Sequence, residues 1–286
     1  MTERPDPVIA TALAFLKRFG PDSGRNLDQV LPEIGLTLHF REARSYEGAL
    51  LRIKGVPLGY VVLNRSIREE SRRRFTLAHE LGHYLLPTQQ ELSQPCSKGA
   101  VESWDETVPD SEQEANRFAA EILMPRVALQ PFLGESPTFA HIEAIASSRG
   151  TSLTASAYRL ASLTSFRMAM VWSESGRARW QKSSAEFFRW IRMGALSRET
   201  FAYDAFRDER VPNKLESVPA RAWLFEKGLK PDARILEQSI RLPSFDAVLT
   251  ILVIPEQIED WSDGDRRLEL DPREFTHGRS RWPGGN

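Results

Sequence analysis

Two histidines four residues apart, His79 and His83, stand in the run Phe75-Thr76-Leu77-Ala78-His79-Glu80-Leu81-Gly82-His83-Tyr84-Leu85-Leu86, which is otherwise almost all apolar. So many apolar residues in a row must be buried, and Pro87 stops a helix, so the pattern predicts one helix over Glu69 to Leu86 with its second half inside a core. Positions four apart on a helix differ by about 40° around its axis, so both imidazoles leave one face and can grip a single ion. Glu80 lies beside that face, where a carboxylate can take a proton from a water whose pKa a metal has lowered toward about 7. Gly82 adjoins the same face and lets a substrate or a second backbone approach closely.

Two imidazoles leave a catalytic zinc one protein ligand short. A second helix is expected over Ser111 to Met124, ended by Pro125, and it carries Glu112, Glu114 and Glu121. Ala115, Asn116, Ala119 and Leu123 lie within about 60° of the direction of Glu112, which puts Glu112 on the inward face. Glu114 and Glu121 point the other way with Arg117, a stripe that reads as a solvated ion-pair face. Glu112 is therefore the expected third ligand, with Glu114 as the fallback. Asn116 either hydrogen-bonds a ligand from outside or is an ordinary buried amide. Zinc suits two imidazoles and a carboxylate, and manganese or another divalent ion would also be accepted.

At 286 residues the chain has room for two or three units. Lysine and arginine number 38 against 39 acidic residues, so no global charge pulls it toward nucleic acid or an anionic membrane. One cysteine, Cys96, excludes an intramolecular disulfide framework and suits a reducing compartment. No apolar run approaches the roughly 20 residues that span a bilayer, and the N-terminus lacks the features of a secretion signal, so the expected location is the cytoplasm and no membrane partner is expected.

Along the chain, Pro7 to Phe19 and Asn26 to Ile34 read as helices, and Leu36 to Arg41, Ala49 to Lys54 and Leu58 to Asn64 as the strands of a small antiparallel sheet. Residues 88–110 read as a long polar surface loop. Two short helices broken at Arg149-Gly150-Thr151-Ser152 occupy Thr138 to Leu163. Beyond Arg167, Met168 to Trp172 and Ala247 to Ile254 are strand-like, while Ala185 to Met193 and Pro219 to Lys227 read as helical. The expected class is α+β. The expected divisions are a metal-binding domain over 1–133, a helical segment over 134–166, a second α+β domain over 167–265 and a flexible tail over 266–286.

The run Arg74-Phe75-Thr76-Leu77-Ala78-His79-Glu80-Leu81-Gly82-His83-Tyr84-Leu85-Leu86, with Glu112-Gln113-Glu114-Ala115-Asn116-Arg117-Phe118-Ala119-Ala120-Glu121-Ile122-Leu123-Met124-Pro125, resembles the ImmA/IrrE family of metallopeptidases. The likeness is strongest over Val61 to Pro125. It implies a gluzincin-like core, a small sheet packed on two active-site helices, with His79, His83 and Glu112 as zinc ligands and Glu80 as general base. It also implies a helix-turn-helix-like segment, for which His141 to Leu163 is the place, and a C-terminal domain that in radiation-response members resembles a GAF sensor fold. Residues 167–265 could form such a domain and take an unidentified small molecule or other signal. Pro87 stands where many relatives have another histidine, which removes one substrate-side donor and leaves the ligand set intact.

Characterised members of that family cleave a repressor carrying a helix-turn-helix DNA-binding domain and so relieve repression of stress-response or mobile-element genes. That makes such a repressor the expected partner and a zinc-dependent endopeptidase the expected activity. The competing reading is a metal-holding antirepressor or toxin–antitoxin accessory protein that acts by binding. Tyr84 and His141 are the candidate oxyanion stabilisers besides the metal. Arg72-Arg73-Arg74, beside Glu69 and Glu70, reads as a solvated helix face, and Cys96 as an incidental loop thiol. The second helix of the His141 to Leu163 pair offers only Arg159 as a strong phosphate contact, so direct DNA binding is not expected.

Overall fold

In the computed structural model, which describes residues 6–53, 56–89, 95–97, 109–225 and 229–255, the chain divides into two units. One comprises Met1–Leu129 with Ile145–Ser152, the other Gln130–Ala144 with Leu153–Asn286. The architecture is mixed α+β.

The first unit opens with helix α1 (Pro7–Phe19). Pro7 occupies its first turn, where a missing N–H costs nothing, and the Asp6 carboxylate accepts the Val8 N–H at 2.9 Å. The next helical stretch breaks in two: α2 (Leu27–Val30) is followed by a tighter 3₁₀ turn, Leu31–Ile34, that holds Pro32 and ends at Gly35 in the left-handed region, φ 81°.

Strands β1 (Leu36–Arg41), β2 (Tyr46–Arg52), β3 (Gly59–Asn64) and β4 (Pro95–Ser97) follow, in the spatial order β1-β3-β2-β4. The sheet is not wholly antiparallel as expected, because β1 runs parallel to β3. The connection from β1 to β2 passes the end of β3, and its carbonyls find a partner in a side chain. Fully buried Asn64 donates through Nδ2 to the carbonyls of Ala43 at 2.7 Å and Tyr46 at 3.0 Å, while its Oδ1 accepts from the Ser66 N–H at 3.0 Å. A buried carbonyl left without such a donor would cost about 1–3 kcal/mol, so Asn64 makes the crossover tolerable. Of the long loop expected over 88–110, residues 95–97 form β4, paired antiparallel to β2 with Cys96 opposite Gly48. Its other parts from 90 to 108, the Cys96 side chain and the expected flexible tail lie outside the described residues.

Helices α3 (Glu70–Leu85) and α4 (Asp110–Leu123) pack on each other, and α3 also packs on β2 and β3. Leu36, Leu50, Val61 and Leu63 form the core face of the sheet, all buried. α1 packs against α4 through Phe15 and fully buried Phe118, whose rings meet edge to face at 6.2 Å between centroids. Losing a ring of that size from a core costs about 3–5 kcal/mol, which gives a measure of how firmly α4 is held.

Pro125 ends α4 and also starts α5 (Arg126–Leu133), a helix the sequence did not suggest: its carbonyl accepts the N–H of Ala128 at 2.9 Å. Helices α6 (Phe139–Arg149) and α7 (Leu153–Leu163) follow, joined at Gly150 with φ 62°. Within the first unit, buried Arg149 donates to the Leu123 carbonyl at 2.9 Å, capping α4, and pairs with Asp22 at 2.6 Å.

The second unit is built on a six-stranded antiparallel sheet in the order β7-β6-β5-β10-β9-β8. Its strands are β5 (Met168–Glu174), β6 (Arg177–Ser183), β7 (Gly194–Ala195), β8 (Glu216–Pro219), β9 (Arg234–Leu242) and β10 (Ala247–Val253). The two strand-like stretches foreseen, β5 and β10, pair in its centre. The helices expected over 185–193 and 219–227 do not form. A short 3₁₀ turn, Ala220–Ala222, is all that appears in the second, and residues 226–228 lie outside the described set. Their backbone groups bond across to each other instead, Arg192 N–H to Trp223 O at 2.7 Å and Phe225 N–H to Trp190 O at 3.3 Å, which satisfies them without a helix. Helix α8 (Phe201–Phe206) sits on the face that buries Val171, Trp223, Ile235 and Val248.

That core holds one fully buried carboxyl. Glu237 on β9 accepts from Ala202 N–H at 2.7 Å, Trp223 Nε1 at 2.7 Å and Ser239 Oγ at 2.8 Å. Burial pushes its carboxyl up to about 6 and outweighs the hydrogen bonds from Trp223, Ser239 and the Ala202 and Phe201 backbone, which favour the charged form. Because the folded value lies above the unfolded one, the stability from the neutral form is complete below pH about 4.5, and it is lost as the pH rises through about 6. The expected loss is about 2 kcal/mol across that window. Urea denaturation between pH 4 and 7 should show it, and Glu237→Gln should flatten it; an equal slope in the variant would place its origin elsewhere.

Candidate metal centre

The centre is built by α3 and α4. Toward its N-terminus α3 is tied by arginines of the basic run. Arg72 makes a bidentate pair with buried Glu47 of β2, with contacts of 2.6–3.0 Å, and Arg74 donates to Gly150 O at 2.9 Å and pairs with Glu70 at 2.5 Å. These two are structural ties rather than a solvated face. At the other end Arg52 donates to the His83 and Tyr84 carbonyls at 2.5 and 3.2 Å, satisfying acceptors that the helix leaves open.

Between these ties the helix buries Thr76 through His83, with His79 and Glu80 at 0 % exposure. Gly82 faces α4. A Cβ there would stand 3.1 Å from Ala115 Cα and 3.2 Å from the Ala115 carbonyl oxygen. The close approach foreseen at Gly82 is thus that of a second helix, with small Ala115 as its counterpart and the Phe118 ring edge beside it at 3.2 Å.

That approach brings the side chains together. His79 and His83 place their Nε2 atoms 3.0 Å apart, and the Glu112 carboxylate lies 3.1 Å from the first and 3.5 Å from the second. One ligand atom from each of the three lies within 4.8 Å of the others, which among the described residues makes this the group able to hold a metal. Both Nδ1 atoms are held from behind. His79 Nδ1 lies 2.9 Å from Asn116 Oδ1, and His83 Nδ1 lies 2.5 Å from Gln89 Oε1.

The donor set fits a divalent cation. With each Nδ1–H given to an amide oxygen, a neutral imidazole points its Nε2 lone pair inward, so two lone pairs and a carboxylate converge on one place. Burial works against the charged form of His83, but the hydrogen bond and charge of Glu112, with Glu80 and Gln89, raise its pKa nonetheless. Burial likewise opposes ionised Glu112, yet its bonds to His79 and His83 hold the carboxyl down at about 2. The carboxylate therefore stays ionised at any physiological pH.

Glu114, the fallback, is turned away from the two histidine nitrogens: its carboxylate accepts from Thr88 Oγ1 at 2.7 Å and from Gln89 Nε2 at 2.8 Å. It does not form the expected ion-pair stripe, since Arg117 pairs with Asp6 and Glu121 is buried, with Oε1 near the Arg126 N–H at 3.4 Å. Of the three, Arg117 is exposed, Glu114 half-buried and Glu121 buried, so the side is only partly solvated. Tyr84 donates its hydroxyl to Ile34 O at 3.2 Å and lies beneath the Arg52 guanidinium. His141 belongs to the second unit, where its Nε2 lies 3.2 Å from Glu135.

Gln89 escaped the sequence reading because it sits in what looked like polar loop. It lies on a 3₁₀ turn, Pro87–Gln89, started by the proline that ends α3, and is 1 % exposed. Its amide joins His83, Glu114 and the Ser111 carbonyl in one network. We expect Gln89→Ala and Asn116→Ala each to weaken metal affinity about 10–100-fold by freeing an imidazole, measurable by competition with a chromophoric chelator. Unchanged affinity in both would show that the rings are oriented by packing alone.

Two imidazoles and a carboxylate gathered on two packed helices, with a buried glutamate next to the first imidazole, define a metallopeptidase-type centre on an α+β scaffold. Residues 33–161 match the family model described as the IrrE N-terminal-like domain of peptidase family M78, which supports the resemblance to the ImmA/IrrE metallopeptidases over that part of the chain. No curated protein sequence matches the chain. Among solved structures it is similar to one described as a Mycobacterium tuberculosis transcriptional regulator, at 12 % identity over 87 % of each chain with a TM-score of 0.52, a likeness of fold. No described helix is long and apolar enough to cross a membrane.

Proposed function

We propose that this protein is a zinc-dependent, site-specific endopeptidase whose substrate is a helix-turn-helix transcriptional repressor, cleaved to release stress-response or mobile-element genes. The observation that carries the peptidase reading is the convergence of His79 and His83 of α3 with Glu112 of α4, with buried Glu80 on the same turn of α3 as the histidines. Zinc held by the three would supply Lewis acidity toward a peptide carbonyl and toward water. The chain's own part in the chemistry is proton movement and orientation. A Glu80 carboxylate oxygen takes a proton from the attacking water and returns it to the leaving amine nitrogen, while Asn116 and Gln89 keep both rings aligned through Nδ1. The choice of a repressor as target follows from the family's characterised members. The single cysteine fits a cytoplasmic setting. The six-stranded second unit is the proposed receiver of an activating signal, in the role of a GAF-like sensor.

The zinc-loaded protein should be incubated with the helix-turn-helix repressor encoded beside it, and the products followed by mass spectrometry together with the repressor's grip on its operator. Discrete repressor fragments support the proposal. An intact repressor that nevertheless leaves its operator would favour a protein that works by binding.

A further inference from the structure

We infer that Gly48 of β2 is a positioning residue for the Glu80 carboxylate, an inference that rests on the peptidase reading for its catalytic consequence and on packing alone for its structural one. A Cβ added at Gly48 would stand 2.4 Å from Glu80 Oε1, 3.0 Å from Glu80 Cδ and 2.7 Å from Thr76 Cγ2. Carbon atoms do not come that close, so something would have to move, and the identity of the neighbours decides what. They are side-chain atoms of α3, and the nearest is the terminal carboxylate oxygen of Glu80. At Gly24, by contrast, a Cβ would meet the Ile122 carbonyl oxygen of the main chain at 2.2 Å, and the helix itself would have to yield.

β2 is held from both sides, paired with β3 through Leu63 opposite Gly48 and with β4 through Cys96. α3 is tied to the same strand by the Arg72 to Glu47 pair one residue before Gly48, and to its far end by Arg52. Neither backbone can retreat readily, so the carboxylate would swing. Glu80 is 0 % exposed, so its carboxylate has little room to swing without leaving the place it holds next to the histidine turn of α3. The missing side chain at position 48 thus sets where the proton acceptor of α3 rests. The three atoms nearest to a Cβ at Gly48 belong to Glu80 and Thr76 and none to His79, His83 or Glu112, so the metal is expected to bind as before.

The test is a two-residue cycle with two readouts. Thermal midpoints are measured for wild type, Gly48→Ala, Glu80→Ala and the double variant, all with zinc present. The expected result is a lowered midpoint for Gly48→Ala that recovers part of its loss in the Glu80→Ala background, because the colliding carboxylate is gone while the Thr76 methyl remains. In the second readout, Gly48→Ala keeps its zinc and its KM for the neighbouring repressor, while kcat falls about 10²-fold, the cost of a misplacement near 1 Å. An equal drop in midpoint in both backgrounds overturns the inference, as does an unchanged kcat. If Gly48→Ala alone fails to fold, a folded double variant supports the contact and an unfolded one overturns it. A wild-type protein that cleaves nothing defeats the peptidase reading and the catalytic consequence with it, and the thermal cycle still decides whether Gly48 positions Glu80.

Discussion

Glu80→Gln should hold zinc as well as wild type and lose about 10²–10⁴ of its rate of peptide hydrolysis. The amide is nearly the same size as the carboxylate and fits the fully buried place between α3 and β2 where Glu80 lies. It has no lone-pair carboxylate oxygen basic enough to accept a proton from water, so attack and leaving-group protonation both slow. Zinc content by atomic absorption should be undiminished, since Glu80 is not one of the three groups that converge. Repressor fragments appearing at the wild-type rate would remove Glu80 from the chemistry, and a loss of zinc would make it a ligand.

Glu112→Ala should lose metal, with affinity falling by more than about 100-fold, beyond the 10–100-fold typical of residues that only support a ligand. The reason is double. The carboxylate supplies the third donor, and its negative charge, which the flanking imidazoles hold ionised with a pKa of about 2, is what balances a dication in a buried place. Glu114→Ala should keep its zinc, because that carboxylate serves Thr88 and Gln89. It should cost only a little affinity, through a looser Gln89. Zinc retained by Glu112→Ala and lost by Glu114→Ala would reverse the assignment and imply that α4 turns when the metal enters.

Much of this centre could be read before any coordinates were known, for a geometric reason. A helix converts spacing into direction, so His79 and His83 at a separation of four and Glu112 in phase with Ala115, Asn116 and Ala119 announce a shared face. The same rule failed for Glu114 and Glu121. Periodicity says that they point away from Glu112, but it does not say whether water or protein lies there, and in the fold α1 and the 3₁₀ turn at Gln89 occupy part of that side. The parallel pairing of β1 with β3 was hidden in the same way. Strand patterns report which residues are apolar and not which strand lies beside which, and the decisive residue, Asn64, is one polar side chain at a strand end. In the second unit, 185–193 has helix-like composition but finds its hydrogen bonds across the chain, at Trp223 and Phe225, a long-range choice that local propensity does not encode.

Local sequence alone determined that α3 is a buried helix presenting two imidazoles and a carboxylate, because apolar content, proline and a period of 3.6 act within a few residues of chain. Only the tertiary structure decided what surrounds them. Gln89 and Asn116 reach the two Nδ1 atoms, Arg52 and Arg72 bind α3 to β2, and Gly48 leaves the gap that Glu80 fills. Each of these is a contact between residues brought together by packing, and the distances that matter, 3.0 Å between the two Nε2 atoms and 2.4 Å from Glu80 Oε1 to where a Cβ on Gly48 would stand, are set only once a sheet and two helices have closed on one another.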